Sequence, residues 1–310
     1  MKFSVLIVSP PGYPHSACFR EVAETLCHGL RELGYVSSIS DQVEPGARHI
    51  VLGSNLLPFY PMPLPADSIL YNLEQLEGNE FWGSAKFFFV MQRFPVWDYS
   101  NANVPALAKK GIQVQAIVPI SYFDGLSRID RSSQPKDIDV LFVGSMNERR
   151  NHIISSMRAS GLNTVTLFNK YGPERDAYLA RAKLMLNVHF YPAKILEEVR
   201  ISYYLANRLP VLSEHSGNRD TDAEWSHGVF FADYEHLASH AVHLCKSEDR
   251  RAQLAEEGFR FISKRSIRPH LKKALSATMP VFHGNEIPRS RNEPCFCGSG
   301  RRYKHCHGRL

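Results

Sequence analysis

The sequence has no apolar run long enough to cross a bilayer. Its longest candidates, Val5–Val8 and Phe87–Met91, fall far short of about 20 residues. Nor does it begin like a secretory leader, because Pro10, Pro11 and Gly12 stop the short run that follows Lys2. A disulfide framework is also lacking. Cys18, Cys27 and Cys245 are scattered, and the other three of six cysteines fall in the last sixteen residues. That clustering points to a local metal site, and reduced thiols imply a cytoplasmic setting. No low-complexity tract or short-period repeat occurs, and a hydrophobic content of 44% argues against wholesale disorder and collagen-like chains.

The body lacks charge of one sign as well. Of the +6 formal net charge, residues 288–310 carry +5, from Arg289, Arg291, Arg301, Arg302, Lys304 and Arg309 against Glu293 alone. The remainder is close to neutral, so a global nucleic-acid footprint is excluded and a nucleic-acid partner is not expected. What is present is 310 residues, 44% of them hydrophobic, enough for about two domains with cores of their own.

Short apolar runs alternate with helical periodicity. Residues 3–9 read as a buried strand. Val22, Leu26, Leu30 and Leu33 then recur at helical spacing, and Gly34 follows as a cap. Tyr35–Ile39, His49–Leu52, Ile69–Leu73 and Val114–Val118 read as further strands. Ser127–Asp137 is polar and reads as a linker. A second series follows it: strands at Val140–Val143, Thr164–Phe168, Leu184–His189, Leu209–Ser213 and Val229–Phe231, with helices between and after them. This βαβ alternation predicts an α/β protein made of two tandem doubly wound, Rossmann-like domains. The expected organisation is 1–126, an acceptor domain; 138–265, a donor domain; 266–291, a return helix and linker; and 292–310, a small metal module.

In the tail, Cys295 and Cys297 flank one residue, and Cys306 and His307 follow after eight more. Three thiolates and an imidazole suit tetrahedral structural zinc, with His305 as the rival fourth ligand. Gly298 and Gly300 allow the turn, and Arg301, Arg302 and Lys304 offset the negative charge of a three-thiolate site. A segment this short needs the metal in order to fold. The stretch resembles the SEC-C motif, which implies zinc binding and docking on a protein partner or the ribosome through residues 292–310.

In the body, Val143-Gly144-Ser145-Met146-Asn147 reads as a strand, a small-residue turn and a helix start. Its amides suit a diphosphate, and Arg149 or Arg150 adds charge. Further on, Leu186-Asn187-Val188-His189 ends a strand. Glu197-Glu198-Val199-Arg200-Ile201-Ser202-Tyr203-Tyr204 reads as a helix, and Leu209-Pro210-Val211-Leu212-Ser213 as the next strand. This order is similar to the donor-binding half of the family-1-type glycosyltransferases of GT-B fold. The resemblance implies a nucleotide-sugar donor as co-substrate, a donor site drawn from Gly144, Ser145, Arg149, Arg150, Glu198, Arg200 and Tyr203, and transfer to an acceptor that the sequence does not identify. The sequence departs from the family at Tyr203, where an acid is usual, and at Arg208, where a glycine is usual.

In the first domain, His15 follows the first strand and Gly12. A histidine in this loop suits general-base work on an acceptor hydroxyl, as the inverting members of the family imply. Asn72, Glu74 and Gln75 close a predicted strand, and Trp97 and Asp98 combine an aromatic face with a carboxylate; both groups suit an acceptor. Ser100 or Asn101 offers a helix cap. The spelling Asp220-Thr221-Asp222 sits in a polar stretch and reads as a turn, so diphosphate stabilisation is expected from amides and arginines. The alternative function is a non-catalytic adaptor, binding a sugar or peptide and recruited to a partner by its tail.

Overall fold

The computed structural model describes residues 1–76, 84–278, 292 and 301–305. The chain runs through β1 (Lys2–Ile7), α1 (Arg20–Glu32), β2 (Val36–Ser40), β3 (Arg48–Leu52), β4 (Ile69–Asn72), α2 (Ala85–Met91), β5 (Val96–Asp98), α3 (Val104–Ala108) and β6 (Val114–Ile117). It continues through β7 (Ile138–Val143), α4 (Glu148–Ala159), β8 (Thr164–Leu167), α5 (Gly172–Arg181), β9 (Ala182–Asn187), α6 (Glu198–Ala206), β10 (Val211–Glu214), α7 (Arg219–Trp225), β11 (Val229–Ala232), α8 (Leu237–Lys246), α9 (Glu248–Ile262) and α10 (Arg268–Thr278).

Two parallel sheets result. The first has the order β2-β1-β3-β4-β5-β6 and the second β11-β10-β9-β7-β8. Strands β1 and β3 are buried almost end to end because helices or loops cover both faces. One face of the first sheet packs Phe3, Val5 and Ile50 against Leu26 and Leu30 of α1. The other packs Leu6, Val51 and Leu70 against Phe87 and Met91 of α2. The second sheet is likewise enclosed, with Leu141 and Met185 on one side and Val140, Leu184 and Leu186 on the other.

Helix α10 leaves the second lobe and returns to the first. Leu271, Ala274 and Leu275 join the first lobe's core beside α1. Gly29 of α1 permits this approach, since a Cβ there would stand 2.4 Å from Ile267 Cγ2. The linker lies along the second lobe: the amides of Arg128 and Ile129 both donate to Asn207 Oδ1 at 2.9 Å.

Three elements differ from the sequence reading. Helix α2 forms because Ser84 caps it, accepting from the Phe87 amide, while Phe87, Phe88 and Met91 are buried. Strand β5 is an interior strand of only three residues. The stretch Asp220–Asp222 is the first turn of α7 and not a loop, because Asn218 accepts from the Asp220 and Thr221 amides and acids favour a helix start.

Candidate active site

The carboxyl ends of both sheets converge on a cavity of about 410 Å³ between the lobes. Among the residues expected to act, His15, Glu74, Gln75, Gly144, Ser145, Arg150, Glu198, Arg200 and Tyr203 line it. Open sheets bind ligands at this end because strand termini and helix N-termini meet there.

The turn after β7 forms the second lobe's wall. Gly144 has φ +150°, and a Cβ on it would lie 2.7 Å from Arg200 Nη1. Glycine therefore lets α6 bring Arg200 against the turn. Arg200 donates to Val143 O at 2.6 Å and to Asn187 Oδ1 at 2.7 Å. Its Nε is buried without a partner among the described residues. Beside it, Arg150 donates to Val188 O and Ser145 O at 2.9 and 2.8 Å. Burial, then the Arg200 charge, pulls the Arg150 guanidinium down to about 9. The amides of Ser145 and Met146 donate to no described residue, and Asn147 caps the following α4. Free amides, a helix start and two guanidiniums are groups whose chemistry suits an anion.

The acid of this wall is Glu197, which precedes α6. It accepts from Asn187 Nδ2 at 2.9 Å and lies 3.0 Å from His189 Nδ1, 3.5 Å from Arg150 and 3.6 Å from Arg200. Burial pushes its carboxyl up, but His189, Arg200 and Asn187 outweigh that and hold it at about 2. The sequence reading favoured its neighbour. Glu198 faces the first lobe, where burial pushes it up to about 7 against a modest pull from Arg265. The signal that finds Glu197 is spacing, since it is three residues from Arg200 on the helical register.

On the first lobe's wall, His15 Nδ1 is 2.8 Å from Tyr171 Oη, which lies beyond the end of β8. Its ring also packs on Phe168. Neither Tyr171 nor Phe168 stood out in the sequence, because only the lobe pairing brings them to His15. Glu74 accepts from Asn55 Nδ2 at 3.0 Å, and burial pushes its carboxyl up to about 7. Gln75 reaches across to Ile195 O at 2.8 Å.

Other expected residues stand elsewhere. Trp97 is wholly buried between β4 and β6, so it presents no face to an acceptor. Asp98 and Asn72 are buried and bonded to each other at 2.7 Å; Asp98 also accepts from Asn103 and the Ser100 amide. They organise the β4 and β5 ends behind the wall. Ser100, as expected, caps a short helical turn. Gly12 lies on an exposed turn outside the cavity, its φ of +75° suiting glycine. Arg149 donates from Nη1 to Oε2 of the buried Glu214 at 2.5 Å.

Tyr203 braces the residues that fasten the lobes: it donates to Asp176 Oδ2 at 2.8 Å within its own lobe and accepts from Arg128 Nε of the linker at 3.2 Å. Arg128 continues to Glu24 at 2.7 Å, and Arg175 to Glu21 at 2.6 Å. At Arg208, where a glycine is usual, φ is +51°, so the backbone keeps the left-handed turn while the guanidinium lies 3.5 Å over the Phe259 ring. The expected ligands Cys295, Cys297, Cys306 and His307, and the rival His305's partners among them, involve positions outside the described residues.

Solved structures share this fold. Anabaena HepE in complex with UDP-glucose aligns over 89% of this chain and 99% of its own, with a TM-score of 0.56 and 13% identity. AviGT4, a glycosyltransferase involved in avilamycin A biosynthesis, aligns over 92% and 99%, with a TM-score of 0.54 and 13% identity. The fold is GT-B: two doubly wound parallel α/β lobes about a cleft. Residues 291–309 match the SEC-C motif. The protein translocase subunit SecA of Burkholderia multivorans is 35% identical over 80 residues, 24% of this chain and 9% of SecA. Two uncharacterized proteins of Acanthamoeba polyphaga mimivirus are similar over more of the body. L140 is 22% identical over 229 residues, 72% of this chain and 74% of its own. L137 is 24% identical over 205 residues, 64% of this chain, and the match spans only 28% of L137. No helix among the described residues is long and apolar enough to cross a membrane.

Proposed function

We propose that the chain is a glycosyltransferase that takes a sugar from a nucleotide-sugar donor. The observation that carries this reading is the Gly144 turn, with two free amides set against Arg200 and Arg150 on a cavity between the lobes. The donor's diphosphate would lie on that turn and meet the unpartnered Arg200 Nε. An acceptor hydroxyl attacks the anomeric carbon, the bond from that carbon to the diphosphate oxygen breaks, and the hydroxyl proton passes to a base. His15 is the candidate base, its Nδ1 engaged by Tyr171 and its Nε2 left for the acceptor. Arg200 and Arg150 take up the negative charge that grows on the leaving nucleoside diphosphate. HepE and AviGT4 support the reading at the level of fold.

Titration calorimetry with UDP-, GDP- and TDP-glucose tests it. One donor is expected to bind, and Arg200→Ala to weaken it by about 10–100-fold, the worth of a charge-assisted bond. Failure of every nucleotide sugar to bind the wild-type chain would overturn the reading. Binding without turnover fits an adaptor instead. Tyr203 favours that second reading, because a phenol held by Asp176 and Arg128 supplies no carboxylate where the family usually has one.

For the tail, the donor set is the argument. Three cysteines and a histidine in the SEC-C stretch suit zinc, with Cys295, Cys297, Cys306 and His307 as its ligands and a protein partner as the docking target.

A further inference from the structure

On the side of the lobe junction away from His15 lies a groove of about 1230 Å³. That exceeds the roughly 300–1,000 Å³ of small-molecule sites and suits an elongated ligand. One wall is β6, the outer strand of the first sheet, with all four residues partly exposed. Its inner edge pairs with β5. Among the described residues, no backbone group pairs with its outer edge. Helix α10 packs against β6 as well, but all four β6 residues still line the groove, and an unpaired edge accepts another strand.

The groove lining carries Lys194, Lys264, Arg265 and Lys273 against two carboxylates, Glu198 and Glu224. Lys264 and Lys273 are exposed in the groove wall and have no carboxylate partner among the described residues. Lys194 and Arg265 stand beside them, tied to Glu214 and Glu224. Burial, together with Arg265 and Lys273, holds the His270 imidazole below its usual value, as expected where positive charge is crowded. The groove's tyrosine, Tyr99, is only 4% exposed, so it offers no stacking platform for nucleotide bases.

We propose that this groove docks an extended acidic polypeptide segment, which adds to the first sheet as a strand beside β6 while its carboxylates meet Lys264 and Lys273. Backbone pairing selects a polypeptide, and the lysines select acidic sequence. Tyr99 and Glu198 line both the groove and the cavity between the lobes, so the docked segment lies next to the site. The proposal does not depend on the transferase reading.

The test uses the full chain and a fluorescein-labelled decapeptide of alternating Glu and Thr, followed by anisotropy. Micromolar binding is expected. Lys264→Glu with Lys273→Glu should weaken it at least tenfold; both side chains are exposed, and an unchanged Tm verifies folding. Arg301→Glu with Arg302→Glu, in the basic tail, should leave it unchanged. A peptide N-methylated at alternate amides, in both registers, should bind at least tenfold more weakly in one register. No binding by the wild-type chain, or binding insensitive to the two lysines, overturns the proposal. So does equal binding of both N-methylated peptides. Tighter binding of polyphosphate or single-stranded RNA, lost in the same lysine variant, also overturns it, by marking a general polyanion site.

Discussion

Glu197 and Glu198 are neighbours in sequence and opposites in environment. Both are withdrawn from water, which raises a carboxyl's pKa. At Glu197, His189, Arg200 and Asn187 reverse the effect, and the group sits at about 2. At Glu198 only Arg265 opposes burial, and the group sits at about 7. An unfolded glutamate titrates near 4.3, at roughly its ordinary value. Glu197 therefore contributes stability above that value, which is lost as pH falls toward 2. Glu198 does the reverse, because the folded chain binds its proton more tightly. Its contribution is complete below about 4.3 and is lost as pH rises through about 7. Glu198→Gln should raise Tm at pH 8 by about 2–4 °C, for roughly 1 kcal/mol, and leave Tm at pH 4.5 unchanged. Thermal melts at the two pH values check this; an equal shift at both would assign the effect to packing. The chemistry of this wall was legible as a helix bearing two acids and an arginine. Which acid meets the arginine was not, because helix rotation is set by core residues such as Ile201 and Leu205.

At the scale of elements, the strongly patterned segments were legible. Strands β1, β3, β7 and β10 are apolar runs bounded by turn residues, and α1 carries a clear apolar stripe. The failures have a physical pattern. Strand β5 is three residues long and α2 seven, too short for a period to register. Helix α7 is begun by its Asn218 cap in a polar stretch without an apolar period. Contact between α1 and α10 could not be read at all, since it depends on distant chain segments meeting. Its weak point is testable. Gly29→Ala would ordinarily stabilise a helix by about 0.5–1 kcal/mol. Here the new methyl would stand 2.4 Å from Ile267 Cγ2, so overpacking should win and cost about 1–3 kcal/mol. Denaturant unfolding should show a lower midpoint for Gly29→Ala. In an Ile267→Ala background the same change should cost nothing, and a persistent loss there would point to another cause.

For the whole molecule, the fastening of the lobes and the place of the tail are separate matters. Glu21 and Glu24 of the first lobe grip Arg175 of the second and Arg128 of the linker, and Gln75 and His15 reach Ile195 and Tyr171. With α10 returned to the first lobe's core, the four apolar clusters of the described residues all lie in the body. The SEC-C stretch, by contrast, offers few apolar residues in 291–309, so a zinc bound there would supply its folding energy. Zinc should therefore be a property of the tail alone. The purified chain should contain one zinc by elemental analysis, lost on chelation and absent in a Cys295→Ser, Cys297→Ser variant. Calorimetry should find the body's transition moved by no more than about 1 °C in either case, since a ligand stabilises only the unit that binds it. A drop of many degrees would show that the tail is integrated into the body's fold. A full zinc content in the cysteine variant would place the metal on other residues.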